Sequence, residues 1–233
     1  MAPDPLELAV RENATWCDLV CRSHRLRPDA DARVWSSDRR TPSLYPDAVT
    51  LEPTVSEFDV LGRIHDAPGA SVKDSFAALD LGPDGYRVLF DATWFARPPG
   101  PVPAGAGDAF ERITDKFTFG AWQHAWGGPD DVLLPGLLRT STVTIIGART
   151  PDERYDRGGI LHRTSIGGTQ VVGLSNTFGS VTDVALAAAA RAPDAWVVGY
   201  DDADVVAALE GDGFRECGTL RVWMRDERSS FVG

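Results

Sequence analysis

Gly167-Gly168 narrows the possible folds more than any other feature of this chain. The doublet separates Gly159–Ile166 (GILHRTSI) from Thr169–Phe178 (TQVVGLSNTF). Two glycines between strand-like runs supply the positive φ angles of a tight hairpin turn, so an antiparallel pair is expected. Ser180–Ala192 follows as an Ala-rich helix capped by Ser180 or Thr182, and Ala195–Tyr200 (AWVVGY) is a short continuous apolar run. Such a run is buried on both faces of a sheet. A hairpin, a helix and a doubly buried strand in succession predict a layered domain with helices covering a sheet.

The flanking segments extend this reading. Thr142–Ala148 (TVTIIGA) reads as a strand. Asp108–Trp126 reads as a helix with Phe110, Ile113, Phe117, Ala121 and Trp122 along one stripe, closed by Gly127-Gly128-Pro129. Ala203–Glu210 reads as a helix ended by Gly211 or Gly213, and Leu220–Met224 lies in the last strand. Ser71–Leu81 and Tyr86–Ala96 flank Gly82-Pro83-Asp84-Gly85, which predicts a second hairpin. The Pro- and Gly-rich run 97–107 (RPPGPVPAGAG) reads as a mobile loop without a regular element. Nearer the N-terminus, residues 14–25 read as an amphipathic helix, residues 33–53 as irregular, and Thr54–His65 as a helix capped by Thr54 or Ser56. The expected class is α/β (α+β): a central mixed, largely antiparallel sheet flanked by helices. Residues 1–70 hold few apolar residues, so they are expected as a helical extension packed on a domain of residues 71–233.

Charge and cysteine content exclude several functions. Among 233 residues, 34 acidic side chains outweigh 23 basic ones, for a formal net charge of −11. Binding to phosphate backbones or anionic membranes needs clustered positive charge, so neither nucleic acid nor a membrane is expected as partner. The longest purely apolar stretch, Val184–Ala190, falls far short of the roughly 20 residues of a bilayer span. Met1–Asn13 has neither the basic nor the apolar region of a secretory signal, so a soluble, cytoplasmic protein is expected. Cys17 and Cys21 stand one helical turn apart and Cys217 is distant; with no second Cys/His cluster beside Cys17, Cys21 and His24, buried thiols are expected rather than a metal. The chain has no Gly-x-x-x-x-Gly-Lys-Ser/Thr loop, His-Glu-x-x-His or Gly-x-Ser-x-Gly motif.

The element order, with GILHRTSIGGTQVVGLSNTFGSVTDVALAAAARA and the closing DADVVAALEGDGFRECGTLRVWMR, resembles the GNAT-type N-acetyltransferase superfamily over residues 72–226. In that family a strand ends in an Arg/Gln-x-x-Gly-x-Gly/Ala loop whose backbone N–H groups, with the following helix N-terminus, hold the coenzyme A pyrophosphate. The matching stretch here is Asn176-Thr177-Phe178-Gly179-Ser180-Val181. The resemblance therefore implies Asn176, Gly179, Ser180, Val181 and Thr182 as the site for acetyl-CoA or another acyl-CoA. Asn176 replaces the first polar residue, and Val181 stands where Gly or Ala is usual.

The same resemblance implies the remaining site residues. Many family members carry a tyrosine, four residues before the glycine of the closing segment, that protonates the departing thiolate. Leu209 holds that place here, so the role passes to Tyr200, Asp201 or water. Ser175 lies with Asn176 on the strand whose backbone polarises the thioester. Trp122, His124 and Trp126 sit on the helix bordering the acceptor pocket, where an aromatic wall suits an apolar or aromatic acceptor. Strand alternation separates His162 and Thr164 from Leu161, Arg163 and Ser165, so either His162 or Arg163 faces the cleft. The expected activity is acyl transfer to a small-molecule amine, a homodimer being left open. The alternative is a non-catalytic GNAT-like ligand-binding or regulatory module.

Overall fold

The computed structural model describes residues 3–226. Its first elements are α1 (Pro5–Ser23), β1 (Asp29–Ala30), β2 (Val34–Ser36), β3 (Ala48–Thr50), α2 (Glu57–Leu61), β4 (Ser71–Asp74) and β5 (Tyr86–Arg97). There follow β6 (Phe110–Arg112), α3 (Lys116–Trp126), β7 (Val143–Arg149), β8 (Tyr155–Ile166) and β9 (Thr169–Phe178). The last are α4 (Val181–Arg191), β10 (Trp196–Asp201), α5 (Ala203–Leu209) and β11 (Arg215–Arg225). Residues 227–233 of the expected 71–233 domain lie outside the described residues. Two compact units are present, residues up to 16 with 94–217, and residues 17–93 with those from 218 onward. The segment 1–70 contributes β1, β2 and β3 as well as α1 and α2.

The expected mixed sheet flanked by helices is present. In the first unit the strands run β5-β10-β9-β8-β7-β6, β5 entering with its residues from Trp94 onward. The pairs β6–β7, β7–β8 and β8–β9 are antiparallel, whereas β9–β10 is parallel. Gly167 and Gly168 make the predicted turn with φ of +55° and +85°. On one face of this sheet α4 buries Val184, Ala185, Ala188 and Ala189 against Leu161, Val172, Leu174 and Val197. In the second unit the order is β1-β2-β3-β4-β11, with β3–β4 parallel and β4–β11 antiparallel.

Four local readings are corrected. The segment 71–81 does not pair with β5: its strand ends at Asp74, whose buried carboxylate accepts the backbone N–H groups of Phe76 and Leu79 and turns the chain away. Only the turn at Gly82–Gly85 is retained, with Gly85 left-handed at φ +84°. The start of the expected 108–126 helix is instead β6, hydrogen-bonded to β7. The helix begins later because the Asp115 carboxylate accepts from the N–H groups of Phe117 and Thr118 at 2.9 and 3.0 Å. The helix expected over 14–25 starts at Pro5, and buried Glu12 and Asn13 interrupt the apolar pattern that would have revealed it. Beyond Arg97, the last residue of β5, the run to residue 107 has no regular element, yet it is tied rather than loose. Arg97 donates to the carbonyls of Asp212, Pro98, Gly100 and Pro101, and Arg191 to those of Gly107 and Phe110.

Among the described residues no helix is long and apolar enough to cross a membrane. Cys17 and Cys21 are buried and Cys217 is half-buried.

Candidate functional site

The parallel pair β9–β10 runs in register from Val171 opposite Trp196 to Gly173 opposite Val198. Past that point β9 continues to Phe178 and β10 to Asp201. On its other side β9 pairs with β8, Ile160 opposite Ser175 and Gly158 opposite Phe178. Two residues, Asn176 and Thr177, thus face the single Gly159, which defines a β-bulge. Asn176 takes a left-handed φ of +52°, a conformation that asparagine tolerates better than most residues. The bulge re-aims the end of β9 just before the turn into α4.

That turn depends on Gly179. Its φ is +71°, and an added Cβ would lie 2.3 Å from the Asp156 carbonyl oxygen and 2.6 Å from Arg157 Cβ. Ser180 then caps α4, its hydroxyl accepting the Asp183 N–H at 3.2 Å. Gly179 and Ser180 are exposed, and Val181 and Thr182 are half-buried. The five residues that the family pattern marks for the cofactor thus form one bulge–turn–helix N-terminus. Sequence reasoning missed Arg157, which lies against this turn with its Nε 3.4 Å from Asp183 Oδ2. Its guanidinium also pairs with Asp156 at 3.3 Å, so two carboxylates balance it beside the helix N-terminus.

Directly opposed residues of an antiparallel pair share a face, so Ser175 lies on the same face as Ile160, and His162 on the same face as Gly173. Alternation along β10 places Val198 and Tyr200 together, while Gly199 turns to the α4 face, where its Cβ would meet the Phe95 ring at 2.6 Å. Tyr200 is half-buried and edge-on to Trp94, centroids 5.2 Å apart at 81°. Asp201 is half-buried, its carboxylate accepting the Asp202 N–H at 2.9 Å, and burial pushes this carboxyl above its ordinary range. Leu209 is fully buried in the core with α4.

The expected acceptor-side residues do not all gather. Trp122 is fully buried, its indole N–H donating to the Ile146 carbonyl at 2.8 Å and its ring stacked on Trp126 at 6.2 Å. His124 is exposed, two positions and so about 200° round the helix from Trp122. Arg163 pairs with Asp194, whereas His162 is buried with Nδ1 2.8 Å from Glu12 Oε1. Of the two strand residues left open by alternation, His162 lies on the Ser175 face and Arg163 on the other. Glu12 was not singled out in the sequence, where Glu7 and Arg11 stand beside it in LELAVRENATW and no local pattern sets it apart.

The fold has relatives among solved structures. A structure assigned to the GNAT family of acetyltransferases, from Novosphingobium aromaticivorans, superposes with a TM-score of 0.56 at 15% identity, covering 96% of this chain and 100% of that one. A GCN5-related N-acetyltransferase from Kribbella flavida gives 0.55 at 16% identity, covering 94% and 95%. A conserved protein of unknown function from Staphylococcus epidermidis gives 0.51 at 9%, covering 86% and 94%. The fold is therefore that of the GNAT-type N-acetyltransferases, as the element order anticipated. No family model and no curated protein matches the sequence.

Proposed function

We propose that the chain is an acyltransferase that moves an acyl group, acetyl in the first instance, from a coenzyme A thioester to a small-molecule amine. The observation that carries this reading is the bulge at Asn176 leading through Gly179 into the capped N-terminus of α4. Helix N-termini bind phosphate through unsatisfied N–H groups and their partial charge, and Arg157, ion-paired with Asp156 and Asp183, stands beside them. The backbone of Leu174–Phe178 and Gly199–Asp201, beyond the paired register, offers amide partners to the pantetheine arm. Acyl transfer rests on holding the amine against the thioester and stabilising the oxyanion.

In this reading Tyr200, at the end of β10 on the Ser175 face, protonates the departing thiolate. Residues 1–70 extend the domain of residues 71–233, and the cytoplasm is the compartment suited to its three thiols. One observation favours the non-catalytic module: Leu209 is buried apolar at the position where the family keeps its acid.

The test is calorimetry of acetyl-CoA binding with Ser180→Asp. Aspartate is as good an N-cap as serine, so the helix should remain intact. Its charge lies where a pyrophosphate is expected, and affinity should fall at least tenfold with the thermal midpoint unchanged. Unaltered affinity places the donor elsewhere; binding by the native protein without transfer to any amine favours the module.

A further inference from the structure

We infer that Glu12 and His162 form the proton-accepting centre for a cationic primary amine, His162 taking the proton and Glu12 positioning it. This rests on the acyltransferase reading and names both a base and a substrate class for it. His162 Nδ1 lies 2.8 Å from Glu12 Oε1, and each side chain is only 3% exposed. The Trp16 ring, one turn further along α1, covers the imidazole at 5.7 Å. The opposing strand residue is Gly173, where an added Cβ would lie 1.8 Å from Glu12 Oε2. Three elements therefore shape one seat: α1 brings the carboxylate, β8 the imidazole, and β9 leaves out a side chain.

A buried ionisable pair is a poor way to fasten a helix to a sheet, since apolar residues of equal volume do it as well or better. It is a good way to make a base. A carboxylate can only accept, so it holds the hydrogen on Nδ1 and leaves the Nε2 lone pair for exchange. The pair also sits at the reacting end of the fold. Gly173 and Val198 are the last residues in register between β9 and β10, and Ser175 and Tyr200 follow them on the same face. Glu12 and Trp16 from α1 meet His162, and across the strands it stands opposite Gly173 of β9 and Val143 of β7; Glu12 supplies the carboxylate among them. A carboxylate beside the Trp16 ring attracts an ammonium group and repels an anion.

The ammonium R–NH3+ gives one proton to His162 Nε2, and the freed lone pair attacks the thioester carbonyl carbon, forming the C–N bond. The C–S bond breaks with its electron pair on sulfur. The thiolate takes a proton from the Tyr200 hydroxyl, which regains it from the nitrogen, and His162 returns its own to solvent. The products are one amide, one thiol and one proton.

The test measures thiol release from acetyl-CoA with a panel of primary amines, 2-phenylethanol and 3-phenylpropionate serving as neutral and anionic controls. With the native protein, only amines should react, and kcat/KM should rise with pH through one ionisation. His162→Gln should lower kcat/KM about 10²-fold or more and abolish that acidic limb. Glu12→Gln should move the limb to lower pH, because losing the carboxylate favours the neutral imidazole. Both variants should bind acetyl-CoA as the native protein does. A fastening role would lower thermal stability and leave the limb in place, which overturns the inference. Should a variant not fold, nitrogen-15 spectra of the native histidines decide it: His162 must carry hydrogen on Nδ1, and its Nε2 signal must move when a reacting amine is added. Hydrogen on Nε2, or an unmoved signal, overturns the inference while acyl transfer stands. Absence of acetyl-CoA binding, or binding without transfer to any amine, overturns both.

Discussion

Gly179→Ala is expected to cost far more stability than Gly167→Ala, although both glycines have positive φ. At Gly167, φ is +55° and nothing lies within 4 Å of an added Cβ, so the cost is that of left-handed backbone alone, about 1 kcal/mol. At Gly179, φ is +71° and the same backbone term applies. The new methyl would also lie 2.3 Å from the Asp156 carbonyl oxygen, 2.6 Å from Arg157 Cβ and 2.9 Å from Arg157 Cα. Two of those atoms are main chain and the third is fixed to it, so no rotamer change relieves the contact. Overpacking of that kind adds about 1–3 kcal/mol, giving a total of roughly 2–4 kcal/mol. Urea unfolding followed by tryptophan fluorescence should show the difference. With a slope of roughly 2 kcal/mol/M, the Gly179→Ala midpoint should fall about 0.5–1.5 M below that of Gly167→Ala. Equal midpoints would refute the reasoning, because the turn before α4 would then not be wedged against β8.

Three further outcomes follow from the same structure. Leu209→Tyr should lower stability by about 1–3 kcal/mol in thermal unfolding, since it forces a larger polar side chain into a filled core instead of restoring an acid. Tyr200→Phe should reduce turnover about 10²-fold with little change in acetyl-CoA affinity, read from thiol release and calorimetry; near-full turnover assigns the proton to water. Burial raises the Asp201 carboxyl, so the folded state holds that proton more tightly and is penalised where the group is ionised. Asp201→Asn should therefore raise the thermal midpoint at pH 7. Its advantage should fade as the pH falls through the raised folded value towards the ordinary one near 4.

Much of the frame was legible because it is written in local signals. Gly167-Gly168, the Ser180 cap and the apolar run Ala195–Tyr200 each act within a few residues, and each formed where periodicity put it. Errors came where a distant group chose the local conformation. The segment after Asp74 reads as strand by composition, but a buried carboxylate collecting backbone N–H groups outweighs that preference. Lys73 and Asp74, a charged pair in sequence, are both buried at the end of β4. Phe110–Arg112 carries a helical stripe and becomes a strand because β7 offers an open edge.

The candidate site divides in the same way. From the sequence alone came the order of elements, the Asn176–Thr182 stretch and the vacancy of a proton donor at Leu209, because those depend on neighbours along the chain. Only the tertiary structure decided that Asn176 lies in a bulge, that Arg157 stands beside the turn into α4, and that His162 rather than Arg163 shares a face with Ser175. Glu12 is the clearest case. Its 150-residue separation from His162 leaves no trace in any window of sequence. A glutamate on a helix is ordinarily solvated, and nothing local overrides that expectation. It is buried here because His162 and the missing side chain of Gly173 hold a place for it, and that complementarity arises only when α1, β8 and β9 are packed together.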